Sequence, residues 1–420
     1  MTGLKKTTKT LKILPGSKLK IVILSQLFPP DLGGSSTRAY NLAKALQLNN
    51  VDVLVVAAFP HYPSGHVPRH LKRRALAYDN VDGINVIRTW VAPLESKGVV
   101  NRLVLFLSFI LSATFALPFV RKADVIFASN PQLLCIFPAL LYKVVLRSPI
   151  ILNVDDLWPE DPVDLGLIKS KLFKKLAEAV ARFAYRMADV VTPISPGYVD
   201  VIRGKYGVPV DRIVVIPAGV DVSRFHLKNA FKRDRNFRVL YTGAFSPAYD
   251  FNQVLRAARL LEHHKDILFV LQGKGELVES IKTKVSAMRL TNVIVIDEVL
   301  SRDDVAKLMS EADVLLLPLR DFGRPYLGLS TKIYEYQAAG KTIVCCAYGT
   351  PAEYIAKTKS GLVVKPGDYK SIADAILKLK NDKRVSEQFG LHAYKAATEV
   401  SLEKIGKKIK DIVMNLKRHD

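Results

Sequence analysis

The residues Asn153–Pro162 (NVDDLWPEDP) hold four carboxylates and a tryptophan at the end of an apolar run that begins at Ile150. Acids make poor core material. Placed at the carboxyl end of a buried strand, they can accept hydrogen bonds from sugar hydroxyls, and Trp158 can stack on a pyranose face. Asp155 and Asp156 are the first candidates for such a role. The alternative is a helix N-terminus whose dipole favours acids. No histidine joins the group, so a metal site is not expected.

A second stretch has the composition of a phosphate site. The run Leu317–Arg320 (LPLR) leads to Gly323–Lys341 (GRPYLGLSTKIYEYQAAGK). A strand ends at Pro318, a Gly-rich loop follows, and a helix starts near Thr331 and closes at Gly340. The positive helix N-terminus at Ser330 and Thr331, with Lys332 and Arg324, can hold a diphosphate. Glu335 lies one turn inside on the face of Thr331 and can accept bonds from ribose hydroxyls. Otherwise Ser330 is a plain cap and Glu335 a surface residue.

Three glycine groups follow strand-like runs: Gly33–Gly34, Gly243, and Gly273 beside Lys274. Each can let a nucleotide or phosphate approach the backbone. Each can equally be an ordinary turn, with Ser35 or Ser36 capping the helix after Gly34.

These residues need a frame. Short apolar runs alternate with helical patterns from Lys20 onwards. Runs that are apolar throughout, rather than alternating, indicate parallel strands covered on both faces. The first set is Lys20–Leu24, Val53–Ala57, Ile84–Thr89, Asp124–Ala128, Ile150–Val154, Val190–Pro193 and Ile213–Ile216. The second is Phe237–Thr242, Ile267–Gln272, Val293–Ile296, Val314–Pro318, Thr342–Ala347 and Gly361–Val364. The fold class is therefore α/β: two Rossmann-like, doubly wound parallel sheets facing a cleft. The expected domains are 19–222 and 237–400, with a charged linker at Asp221–Asn236. Ligands bind at the carboxyl ends of both strand sets.

The 420 residues carry a formal charge of +23, of which +13 falls in residues 1–150. Such a surplus points to an anionic partner. Residues 1–18 are Lys-rich without an apolar core, which predicts a disordered basic tail rather than a signal peptide. The stretch Leu103–Val120 is uncharged and borderline in length for a membrane span. Strands of one sheet lie on both sides of it, so a buried or interfacial helix is expected, resting on anionic headgroups with help from basic clusters such as His70–Arg74. No zinc spacing, RNA-recognition signature or aromatic–basic stripe supports nucleic acid as the partner. Cys135, Cys345 and Cys346 form no disulfide framework, as expected for a reducing compartment.

The segments FPPDLGGSSTRAYNLAKAL, DDLWPEDPVDLGL, VIPAGVD and TKIYEYQAAGK resemble glycosyltransferase family 4 in the branch that builds bacterial surface glycans. That resemblance, from about Lys20 to the C-terminus, implies the two-domain GT-B fold and a retaining, metal-independent transfer with no cofactor. It implies a nucleoside-diphosphate sugar on the C-terminal domain. A glycan or lipid-linked acceptor would meet the N-terminal domain near Asp156, Trp158 and Glu160. A cytoplasmic protein on the inner membrane face is implied, with a final helix, 401–418, crossing back to the N-terminal domain. The ribose contact falls on Glu335, and the diphosphate on Gly33–Gly34 and the helix N-terminus. Two departures stand out. The glutamate expected eight positions before Glu335 is Leu327, and the basic pair expected after Phe237–Thr242 is replaced by Ala244–Asp250 (AFSPAYD). Lys274, Arg324 and Lys332 are then the candidates to meet phosphate charge. A sugar-nucleotide epimerase of the same architecture is the alternative; it would consume donor with no acceptor present.

Overall fold

The computed structural model describes residues 18–62, 64–92, 99–120, 122–129, 133–164, 166, 168, 170–225 and 236–419. The basic tail expected at 1–18 lies outside them except for Lys18, and so does most of the expected linker.

The strands in chain order are β1 (Lys20–Leu24), β2 (Asp52–Ala58), β3 (Leu76–Val81), β4 (Ile84–Thr89), β5 (Val125–Ser129), β6 (Ile150–Val154) and β7 (Val190–Pro193). They continue as β8 (Phe237–Thr242), β9 (Ile267–Gln272), β10 (Val293–Ile296), β11 (Val314–Pro318), β12 (Thr342–Cys346) and β13 (Gly361–Val364). The first sheet has the order β3-β4-β2-β1-β5-β6-β7 and the second β10-β9-β8-β11-β12-β13. Every pairing is parallel except β3 with β4. The central strands β5, β6, β11 and β12 are buried along their whole length, as a sheet covered on both faces requires.

Three local readings are corrected. Ile213–Ile216 is not a full strand: it makes one bridge, Val191 to Ile213, although the N–H groups of Val214 and Ile216 still donate to the β7 carbonyls of Val191 and Pro193 at 3.0 and 2.9 Å. Its exit is held by Arg38, which donates to the carbonyls of Ile216 and Pro217 at 3.1 and 2.7 Å. Strand β3 was not expected. Its signal was Asp82–Gly83, whose positive φ angles of 51° and 82° form the two-residue turn of a hairpin. The helix expected over 103–120 runs instead over Val99–Phe115, with a single further turn at Leu117–Phe119. Pro118 explains the break: it has no N–H to donate to the carbonyl four residues back, and its ring crowds that carbonyl.

The helix Leu402–His419 packs on the helix Gly34–Leu48 of the first sheet. Leu402, Ile405, Ile409 and Val413 are buried there among first-sheet core residues. Gly406 is required at the crossing, since a Cβ would strike the carbonyl of Ala45. Lys417 completes the join with a 2.6 Å ion pair to Asp124.

Candidate active site

A cleft of about 400 Å³ lies between the two sheets, lined by Gly34, Ser35 and Arg38 on one side and by Arg324, Ser330 and Thr331 on the other. The strand ends bring these together. Helix Gly34–Leu48 follows β1, and helix Thr331–Ala338 follows β11.

On the first-sheet side, Gly33 caps its helix with φ of 101° and no side-chain hydrogen bond. The alternative of a cap by Ser35 or Ser36 does not hold: no side chain caps this helix, and the Ser36 hydroxyl donates to the carbonyl of Asp31 at 2.7 Å. The helix start thus faces the cleft with its backbone N–H groups uncapped by a side chain. The preceding loop is pinned by Asp31, whose Oδ1 accepts the N–H groups of His61 and Tyr62, both at 2.7 Å.

The acidic segment divides in two. Asp155, Asp156 and Asp161 line the cleft. Trp158 and Glu160 turn away. Trp158 packs on the first-sheet core, and Glu160 binds Lys205 and the Tyr206 hydroxyl, each at 2.7 Å. Asp161 therefore stands in the cleft where Glu160 was expected.

Arg38 organises this wall, and sequence reasoning missed it. It is 2% exposed and lies one turn into the helix Gly34–Leu48, within a largely buried stretch. Its guanidinium meets Asp155 at 3.3 Å and Asn153 at 2.9 Å, while Asn153 donates to Asp155 at 2.6 Å. An arginine in a buried helix segment was the available signal.

Burial raises the pKa of Asp155 to about 6, opposed by Arg38. Asp156 is raised to about 7, first by desolvation and then by Asp161 and Asp155. Its side chain is exposed at the cleft, so water softens this shift. Both shifts carry the same sign. The folded protein holds protons that the unfolded chain, with carboxyls near 3.8, releases. This contribution to stability is full below pH 3.8 and is lost as pH rises through about 6 and 7. Asp156→Asn is therefore expected to raise Tm over wild type clearly at pH 8 and by much less at pH 4. An equal Tm gain at both pH values would contradict the raised pKa.

On the second-sheet side, Ser330 caps its helix by accepting the Lys332 N–H at 3.3 Å. Thr331 lies beside it. The Lys332 side chain runs past Gly243 and sets its ammonium 5.1 Å from the Tyr249 ring centroid. Only glycine fits at 243, where a Cβ would strike the Lys332 chain and φ is 133°. After β8, Phe245 and Tyr249 pack their rings on Tyr241 and Phe251. A cation from the facing helix reaches the same spot.

Glu335 is half-buried. Burial raises its pKa, while Lys332, Arg302 and Arg224 oppose the rise. Arg302 also stacks on Tyr40 of the first domain at 4.0 Å, so this corner joins the two halves. Gly273 packs against the Gly243 carbonyl. Lys274 turns toward Asp297 at 4.0 Å and does not line the cleft.

Residues 33–219 match the model of the glycosyl transferase 4-like domain, and residues 223–396 that of glycosyl transferases group 1. The chain belongs to the group 1/4 glycosyltransferases. An uncharacterized glycosyltransferase of Methanocaldococcus jannaschii is 22% identical, covering 87% of this chain and 90% of its own. The MMP alpha-(1->4)-mannosyltransferase of Mycolicibacterium hassiacum is 21% identical over 91% and 94%. Sucrose-phosphate synthase from Thermosynechococcus elongatus has a TM-score of 0.76 at 16% identity, over 96% of this chain and 100% of that one. Anabaena HepE in complex with UDP and glucose has a TM-score of 0.68 at 16% identity, over 94% and 100%. The fold is GT-B, and the activity is glycosyl transfer.

Proposed function

We propose that this glycosyltransferase moves a sugar, with retained anomeric configuration, from a nucleoside-diphosphate sugar to a glycan or lipid-linked acceptor at the cytoplasmic face of a membrane. The observation that carries the reading is the facing of two unlike walls. A helix N-terminus at Ser330 and Thr331, with Arg324, meets a first-sheet wall of Asp155, Asp156 and Asp161 across one cleft, and Lys332 stands next to that N-terminus over the Tyr249 ring. The cationic wall suits the diphosphate, and Glu335 suits its ribose. The acidic wall suits sugar or acceptor hydroxyls.

In the proposed transfer, the bond from the anomeric carbon to the diphosphate oxygen breaks. Charge builds on that oxygen, where the N–H dipoles and Lys332 stabilise it. The acceptor oxygen bonds to the same face of the anomeric carbon, and its proton passes to the departing phosphate. The family resemblance supplies this stereochemistry and the metal-independent course.

The membrane reading rests on the outer surface of the first domain. Leu103, Leu107, Leu111 and Phe115 recur at four-residue spacing and are all exposed, Phe115 at 74%. Val144 at 74% and Leu172 at 78% extend this face onto the helices Ile136–Leu146 and Lys171–Met187. Those two helices join through Phe137 stacked on Phe183 at 5.8 Å. Exposed Arg147, Lys171, Lys174 and Lys175 flank the apolar residues. An apolar face with a cationic rim suits an anionic bilayer surface. No helix among the described residues is long and apolar enough to cross a membrane.

One assay tests both parts. Nucleotide release is measured with a panel of nucleotide sugars, with and without vesicles of anionic lipid carrying a polyprenyl-phosphate-linked acceptor extract. Release is expected to need one donor together with the acceptor-bearing vesicles. The double variant Leu111→Asp, Val144→Asp should lose the vesicle-dependent release and still bind nucleoside diphosphate. Release from donor alone, unchanged by acceptor, would favour an epimerase-type reaction instead.

A further inference from the structure

Residues 53–78 hold four Lys or Arg and three His but no Asp or Glu. They take in most of β2, the loop that follows its carboxyl end, and the start of β3. Arg69, His70, Lys72, Arg73 and Arg74 are all exposed on that loop, and their side chains pair with no described residue. Cations elsewhere on this domain do have carboxylate partners: Lys143 meets Asp189 at 2.6 Å, and Lys205 meets Glu160 and Glu178 at 2.7 and 2.8 Å. Like charges set side by side repel one another, and a bound anion removes that cost.

The loop is tied down in two places. At its start, Asp31 accepts the N–H groups of His61 and Tyr62, and Leu32 donates to the Tyr62 carbonyl at 3.3 Å. The Tyr62 ring lies against Gly33, where a Cβ would stand 3.4 Å from it. Gly33 caps the helix whose Gly34 and Ser35 line the cleft. Farther on, Val67 and Leu71 are buried in the same core as Phe109 of the helix Val99–Phe115. That helix carries the exposed Leu103, Leu107 and Leu111 of the apolar face. The cations therefore belong to a segment joined to the cleft through Tyr62 and to the apolar face through Val67 and Leu71. A lipid-linked sugar has the same order of parts: an apolar tail, a phosphate, then the sugar.

We propose that this loop binds the phosphate or diphosphate that joins the acceptor sugar to its lipid, with Arg69, Lys72, Arg73 and Arg74 as the phosphate ligands. This rests on the reading of the chain as a transferase acting on a lipid-linked acceptor at a membrane. Guanidinium groups suit phosphate because two N–H donors can meet two oxygens of one group. The rim at Arg147, Lys171, Lys174 and Lys175 meets the general charge of the bilayer instead.

Vesicle binding by the full chain tests this. Phosphatidylcholine vesicles are doped either with polyprenyl diphosphate or with phosphatidylglycerol to the same zeta potential. The diphosphate vesicles should bind about tenfold or more tightly. The triple variant Lys72→Gln, Arg73→Gln, Arg74→Gln should bring that ratio to about twofold or less. Removing the same charge from the rim, in Lys171→Gln, Lys174→Gln, Lys175→Gln, should weaken both kinds of binding alike and keep the ratio. All six residues are exposed, and an unchanged Tm checks the fold of each variant. Equal binding to the two charge-matched vesicles overturns the inference, and the loop then meets membrane charge alone. A ratio unmoved by the loop variant, or lost equally in both variants, overturns it too. Binding to neither kind of vesicle removes the membrane reading, and this inference with it.

Discussion

Lys332→Ala is expected to lower kcat by about 10²- to 10³-fold, the loss typical of removing one preorganised group that stabilises developing charge. The ammonium sits over the faces of Tyr241 and Tyr249 beside Gly243. It is already in place before charge develops on the diphosphate, so no reorganisation is needed during the reaction. Far-UV circular dichroism and Tm should stay close to wild type, because Ser330 still caps the helix through a backbone N–H. Lys332→Arg keeps the charge but not the shape beside Gly243, and should recover only part of the rate. An alanine variant with wild-type turnover would remove Lys332 from the mechanism.

Arg38→Ala should have the largest effect on stability. Removing one member of a buried ion pair leaves the other uncompensated, at a cost of about 3–5 kcal/mol. Asp155 would keep Asn153 but lose the guanidinium, and the carbonyls of Ile216 and Pro217 would lose their donor. Tm should fall by on the order of 10 °C. The paired replacement Arg38→Met, Asp155→Leu should recover much of that loss, since well-packed apolar residues often replace a buried pair without penalty. It should remain inactive all the same, because the acidic wall would be dismantled. A single variant as stable as wild type would show that the network does not hold the strand exit in place.

Much of the frame was legible because parallel strands buried on both faces write themselves as unbroken apolar runs. All six strands of the second sheet and six of the first follow those runs to within a residue or two. The edge strand β3 did not, since its residues Leu76–Val81 are largely exposed and mixed in type. Only its Asp-Gly turn marked it. Ile213–Ile216 misled for the opposite reason: it lies along β7 and bonds to it through the Val214 and Ile216 N–H groups, but pairs at a single bridge and forms no named strand.

Within the site, the sequence by itself determined which chemistry was on offer. It placed an acid-rich strand end, a helix start with Ser330, Thr331 and Lys332, and Glu335 one turn on, because spacing along one helix or at one strand end is a local property. Only the tertiary structure decided who faces whom. It turned Trp158, Glu160 and Lys274 away and brought Asp161, Tyr198 and Tyr249 in. It also matched Arg38 to Asp155 across 117 residues of chain. Contacts of that separation depend on how two sheets twist and pack, and no local pattern in the chain records that geometry.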